Sequence, residues 1–249
     1  MFAMTTIALY NLKGGVGKTA GCVNLAYLAA QEQYRCLVWD VDPQGAAGFY
    51  LNASAESGKL SKKLIGGELD IEALILDTGY DNLDVIPADF SSRKLDLFIE
   101  AQKNSKKVLK QLLKPLKEDY DLIFIDCPPG FSALAESIFN AADIVLLPTI
   151  PTTLSLRTFD AVRHFFEEKK IDGSKLMCYF SMVDNRKGLH NEVIAQFSEQ
   201  RKFFQSSIPY LSDVEKMGVY QAPLPYFAPN ARGTKAYEAL WEEIKEGIF

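Results

Sequence analysis

Lys13-Gly14-Gly15-Val16-Gly17-Lys18-Thr19 decides the fold through what stands on either side of it. Before it runs Thr6-Ile7-Ala8-Leu9-Tyr10, a short apolar segment of strand type; after it, 18–32 reads as a helix. Gly14, Gly15 and Gly17 strip the turn of Cβ atoms, so backbone N–H groups can converge on phosphate oxygens. The helix that follows adds its positive N-terminal end. Lys18 sits where a lysine reaches β- and γ-phosphates, and Thr19 where a hydroxyl binds Mg²⁺. Leu12 stands at the first glycine of the common G-x-x-x-x-G-K-[ST] pattern, so that pattern fails by one residue. The physics of the cradle does not need that glycine.

Working outward, short apolar runs alternate with longer amphipathic ones. The spacing predicts strands over 6–10, 35–41, 83–86, 121–126, 144–148 and 176–183. They are rich in Ile, Val and Leu with little polar alternation, as strands covered on both faces should be. Helices are predicted over 18–32, 103–116, 133–141, 155–169, 189–200 and 234–247. This is an α/β chain: a doubly wound, mostly parallel sheet with helices on both faces. No repeat or flexible linker divides it, so residues 1–249 read as a single ATPase domain, with 52–79 as an elaboration of it.

Two further stretches end strands in acids. In Trp39-Asp40-Val41-Asp42-Pro43-Gln44-Gly45, period-two geometry puts Asp40 and Asp42 on one face, and Asp-Pro halts the strand. In Leu122-Ile123-Phe124-Ile125-Asp126, the apolar residues ahead of Asp126 make a strand whose final acid supports Mg²⁺ and its waters. Carboxyl ends of strands are where open α/β sheets bind ligands.

Together these stretches resemble the ParA/MinD family of deviant-Walker P-loop ATPases. Lys13 to Thr19 matches the family's K-G-G-x-G-K-[ST]; Asp40-Val41-Asp42-Pro43-Gln44-Gly45 its D-x-D-P-Q-G; Asp126-Cys127-Pro128-Pro129 its D-C-P-P. The likeness continues through Ser181-Met182-Val183-Asp184-Asn185-Arg186 and the tail from Tyr226 to Tyr237, and Asp-Pro-Gln is the form of small, Soj-like ParA proteins. It implies ATP and Mg²⁺ as cofactors, slow hydrolysis, and a homodimer closed around ATP. Lys13 becomes the signature lysine that crosses to the partner's phosphates, with Lys18 and Asp42 as the other catalytic residues. Gly14, Gly15, Val16, Gly17, Lys18, Thr19, Ala20, Met182 and Pro209 join Lys13 in holding the nucleotide, and Thr19, Asp42 and Asp126 hold the metal. Ala20 replaces a hydroxyl residue common in the family, which removes one α-phosphate contact. The DNA-binding extension of larger plasmid relatives has no room ahead of a strand at residue 6, so operator binding is not expected.

The resemblance also implies non-specific DNA and a ParB-like activator as partners. Arg186, Lys187, Arg201, Lys202 and Lys216 are the candidate DNA contacts; a lysine stripe from Lys103 to Lys117 is the competing face. The net charge of −5 excludes a protein that is basic all over. The alternative function is an orphan relative that positions a protein cluster or regulates by protein contact, without a centromere partner. Iron–sulfur relatives share the loop but need cysteines paired across a dimer or in C-x-x-C, and Cys22, Cys36, Cys127 and Cys178 offer neither. Their apolar neighbours predict buried, reduced thiols. The acidic polar face of the last helix, with Glu238, Glu242, Glu243 and Glu246, argues against membrane binding. With no basic n-region and no apolar run of about 20 residues, the chain is expected in the cytoplasm, on the nucleoid when ATP is bound.

Overall fold

A computed structural model describes residues 4–55, 60–197 and 200–248. Its sheet has eight strands: β1 (Thr5–Leu9), β2 (Cys36–Asp40), β3 (Leu76–Tyr80), β4 (Leu83–Ile86), β5 (Leu122–Asp126), β6 (Ile144–Thr149), β7 (Leu176–Val183) and β8 (Phe203–Pro209). They lie in the order β3-β4-β2-β5-β1-β6-β7-β8. Every neighbouring pair is parallel except β3 with β4. β1 sits centrally between β5 and β6, so the loop after it opens at the middle of the sheet's carboxyl edge.

The α-helices in chain order are α1 (Lys18–Gln31), α2 (Ala46–Tyr50), α3 (Leu60–Ile65), α4 (Leu95–Glu100), α5 (Val108–Leu112), α6 (Ala133–Ala141), α7 (Thr153–Lys169), α8 (Gly188–Phe197), α9 (Ser212–Glu215), α10 (Met217–Tyr220), α11 (Leu224–Phe227) and α12 (Arg232–Ile248). Strand alternation sorts the core into two layers. Ile7, Leu9, Val38 and Phe124 pack with α1 and α12; Ala8, Tyr10, Trp39 and Ile125 pack with α4, α5, α6 and α7. α1 is buried nearly all round, since α12, with Tyr237, Leu240, Trp241 and Ile244 inward, covers it from outside. Asn24 pins that layer: its Oδ1 accepts the Leu224 N–H at 2.8 Å, and its amide donates to Met217 Sδ at 3.3 Å.

The structure departs from the sequence reading at both edges of the sheet and in the helix expected over 103–116. β8 carries Gln205, Ser206 and Ser207 at the sheet edge, without the apolar run that marks an inner strand. Glu243 of α12 accepts the N–H groups of Gln205 (2.7 Å) and Ser206 (2.6 Å), closing donors that an edge strand leaves open. β3, which begins in the stretch 52–79 and ends just past it, is the antiparallel opposite edge, weakened as a strand signal by Asp77 and Gly79. The helix expected over 103–116 breaks into 3₁₀ turns around α5, because Pro115 has no N–H to continue it and starts Pro115–Glu118 instead. Of the helix expected over 189–200, residues 198–199 lie outside the described residues, as does Gly58 of the stretch 52–79.

Candidate functional site

The chain turns out of β1 through Asn11, whose side chain makes the corner rigid: its amide donates to the Pro148 carbonyl at 2.8 Å, and its Oδ1 accepts the Lys13 N–H at 2.9 Å. The glycine loop follows. Gly15 and Gly17 have φ of +69° and +92°, in the left-handed region that side chains disfavour. A Cβ at Gly17 would also lie 3.1 Å from Ser181 Oγ, the hydroxyl that holds the loop down by donating to the Val16 carbonyl at 2.6 Å. Gly17 caps α1, so the helix's unpaired N–H groups face the loop.

Lys18 is only 6% exposed, and its Nζ donates to the Lys13 carbonyl at 3.2 Å. The Thr19 hydroxyl donates to Asp126 Oδ2 at 2.7 Å. Asp126 is wholly buried, and its Oδ1 has no partner among the described residues. Burial pushes its carboxyl well above the usual carboxylate range and the neighbouring Asp40 adds to the rise, while the Thr19 hydroxyl and the Lys18 ammonium oppose it. A buried carboxylate oxygen with nothing to bind, beside a hydroxyl and below a cationic loop, suits a hard divalent cation. Thr19, Asp126 and the nearby Asp42 are the residues that fit Mg²⁺.

Asp40 and Asp42 do not share a role. β2 ends at Asp40, so period-two geometry no longer governs Asp42. Asp40 turns inward and accepts N–H bonds from Asp42 (3.1 Å), Ala47 (2.9 Å) and Gly48 (3.1 Å), anchoring the loop and the start of α2. Burial pushes its carboxyl up to about 7 against those three bonds. Asp42 instead lines the cavity over the glycine loop, with its Oδ1 accepting the Gln44 N–H at 3.0 Å.

That cavity has a volume of about 730 Å³. Gly14, Gly15, Gly17, Lys18, Thr19 and Ala20 close one end; Met182, Pro209, Tyr210 and Glu215 stand at the other. Val16 lies under the loop, buried. Lys13 is absent from the lining: its Nζ points to Ser155 Oγ at the start of α7, 3.4 Å away. Sequence reasoning missed Tyr50, Tyr210, Glu215 and Tyr237 as lining residues: the first three belong to no motif, and Tyr237 closes the tail motif without a role assigned to it.

The five basic candidates are not one patch. Arg186 makes a two-pronged bridge to Asp184 (2.9 and 3.0 Å), and Lys216 pairs with Asp213 at 2.8 Å. Lys202 donates to the carbonyls of Gly173 and Ser174, at the amino end of β8, so Arg201 and Lys202 sit at the opposite end of the sheet from Arg186 and Lys187. Lys187 and Arg201 are exposed. In the competing stripe, Lys106 is bridged to Glu136 at 2.8 Å. The four cysteines are buried free thiols. Among the described residues no helix is long and apolar enough to cross a membrane.

Comparison with known proteins agrees with this geometry. A family model described as an AAA domain matches residues 4–174. The chain is 32% identical to the chromosome-partitioning ATPase Soj of Treponema pallidum, covering 96% of each chain. It is 29% identical to the sporulation initiation inhibitor protein Soj of Bacillus subtilis, over 96% of this chain and 97% of that one. In fold it is similar to an ATP complex of McdA from Cyanothece, with a TM-score of 0.83 at 22% identity, covering 100% of this chain and 98% of that one.

Proposed function

The chain belongs to the ParA/MinD family of P-loop ATPases, and from that premise we propose that it is an ATP-dependent switch that dimerises around ATP, binds DNA non-specifically and positions or partitions DNA or other cargo. A ParB-like partner would stimulate its slow hydrolysis. The observation that carries this reading is the Thr19–Asp126 hydrogen bond of 2.7 Å with an orphaned Asp126 oxygen beneath the glycine loop. Mg²⁺ would neutralise phosphate charge there. Lys18 would face its own chain's phosphates, and Asp42 would orient the attacking water. Met182 and Pro209 would hold the base end of the nucleotide.

Lys13 supports the dimer. A lysine whose ammonium is turned out of its own cavity is available to a second copy, as a cation supplied in trans to developing phosphoryl charge. Next to the Ser155 that this ammonium approaches, Leu154 is 59% exposed. Arg186, Lys187, Arg201, Lys202 and Lys216 are the proposed phosphate contacts. The pairs Arg186–Asp184 and Lys216–Asp213 are open to water, which screens them, so DNA phosphates can compete for those cations. Two-fold symmetry doubles each contact and offsets the acidic net charge.

The test is a salt titration of ATP-dependent binding to unrelated duplexes with the Asp42→Ala protein. Affinity is expected to fall with a log–log slope of about −0.9 per phosphate neutralised, with no dependence on sequence. Charge reversal at Arg201 and Lys202 should weaken it. No binding at about 50 mM salt would discard the DNA reading in favour of a protein cargo.

A further inference from the structure

Away from the glycine loop the cavity wall is largely apolar, formed by Met182, Ile208, Pro209, Leu211 and Val214. Two polar side chains interrupt it. Tyr210 and Glu215 both line the cavity, and the Tyr210 hydroxyl donates to Glu215 Oε1 at 3.1 Å. That bond uses the only proton the pair owns. What remains toward the cavity is a carboxylate, the second Glu215 oxygen included, and the lone pairs of the Tyr210 hydroxyl, which are acceptors alone. The one cation in the lining among the described residues is Lys18, at the phosphate end. Lys216, next in sequence to Glu215, is held by Asp213 at 2.8 Å.

An edge that can only accept selects a base that donates. Adenine carries an exocyclic amine at its six-position; guanine carries a carbonyl oxygen there, whose lone pairs would face those of the carboxylate. We infer that Glu215, positioned by Tyr210, reads the six-amino group of the purine and sets the preference for adenine over six-oxo nucleotides. This rests on the nucleotide reading above and extends it to a residue that belongs to none of the recognised motifs. A hydrogen bond to a charged acceptor is about twice as strong as a neutral one, and a six-carbonyl oxygen set against the carboxylate adds repulsion between lone pairs.

The experiment measures Kd for ATP, for purine riboside 5′-triphosphate, which lacks only the amine, and for GTP. It uses the full chain, wild type and the Glu215→Gln and Tyr210→Phe variants. Wild type should lose about tenfold in affinity when the amine is removed, and at least that for GTP. Glu215→Gln, which keeps shape and one acceptor oxygen but loses the charge and adds a donor, should lose less than wild type when the amine is removed and narrow the gap to GTP. Tyr210→Phe should fall between, because the carboxylate stays while its orientation is lost. If wild type and Glu215→Gln lose equally on removal of the amine, or the order of ATP and GTP is unchanged in the variant, Glu215 does not read the base. If wild type binds no ATP, the nucleotide reading falls with it; that outcome is separate from the others because it precedes any variant.

Discussion

At the phosphate end of the cavity the polar groups are buried and committed: Lys18 to a carbonyl, Thr19 to Asp126, Asp40 to three N–H groups. At the base end Tyr210 and Glu215 stand exposed and touch each other. The first arrangement stores an electrostatic demand, a buried acid with an unsatisfied oxygen, that a proton or a cation can meet. The second stores almost none, because water serves either side chain as well as a base does. Substitutions at the phosphate end should therefore act on binding itself, and those at the base end on choice between ligands.

The largest expected effect separates two lysines five residues apart. Lys18→Ala should weaken ATP binding by about a hundredfold or more, whereas Lys13→Ala should leave it within a few-fold and lose dimerisation or hydrolysis. Titration with a fluorescent ATP analogue reads both. Equal losses would place Lys13 on its own chain's phosphates.

Next comes the buried acid. A carboxyl whose pKa is raised on folding holds its proton more tightly in the native state than unfolded. Stability is then lost as pH rises from the unfolded value, about 3.9, toward the raised native one. Without Mg²⁺, wild type should lose stability relative to Asp126→Asn as pH climbs from about 4 to 8, and added Mg²⁺ should close the gap in wild type alone. Parallel denaturation curves across that range would show that Asp126 is not strained by its burial.

A smaller effect is expected behind the base end. Glu243→Ala removes the carboxylate that accepts from the Gln205 and Ser206 N–H groups and from the Ser206 hydroxyl on β8, the strand that carries Pro209 and leads into Tyr210. The expected cost is about 1 kcal/mol by chemical denaturation, with ATP affinity nearly unchanged, since the donors are partly open to water. A loss of several kcal/mol would mean that α12 anchors this edge far more strongly than the hydrogen bonds suggest.

The two ends also differ in how far the sequence discloses them. The phosphate end was legible because its chemistry needs fixed residue types at fixed offsets: glycines at positive φ, Lys18 and Thr19 at the helix start, an acid closing β5. The base end was not, because an apolar slot can be built from any of several side chains. Met182 and Pro209 came from the family resemblance, and Tyr210 and Glu215 from nothing in it. Alternation misled at Asp42, which lies past the last residue of β2. The inner strands announced themselves by burial on both faces; β3 and β8, at the edges, are half polar and did not.

The central claim is that ATP itself joins two copies, and light scattering of the Asp42→Ala protein tests it most directly. With hydrolysis disabled, ATP and Mg²⁺ should give a stable dimer of twice the 27.8 kDa chain mass and ADP a monomer, with Lys13→Ala in the same background restoring the monomer. A monomer in both nucleotides, or a dimer that forms equally in ADP, would contradict the switch.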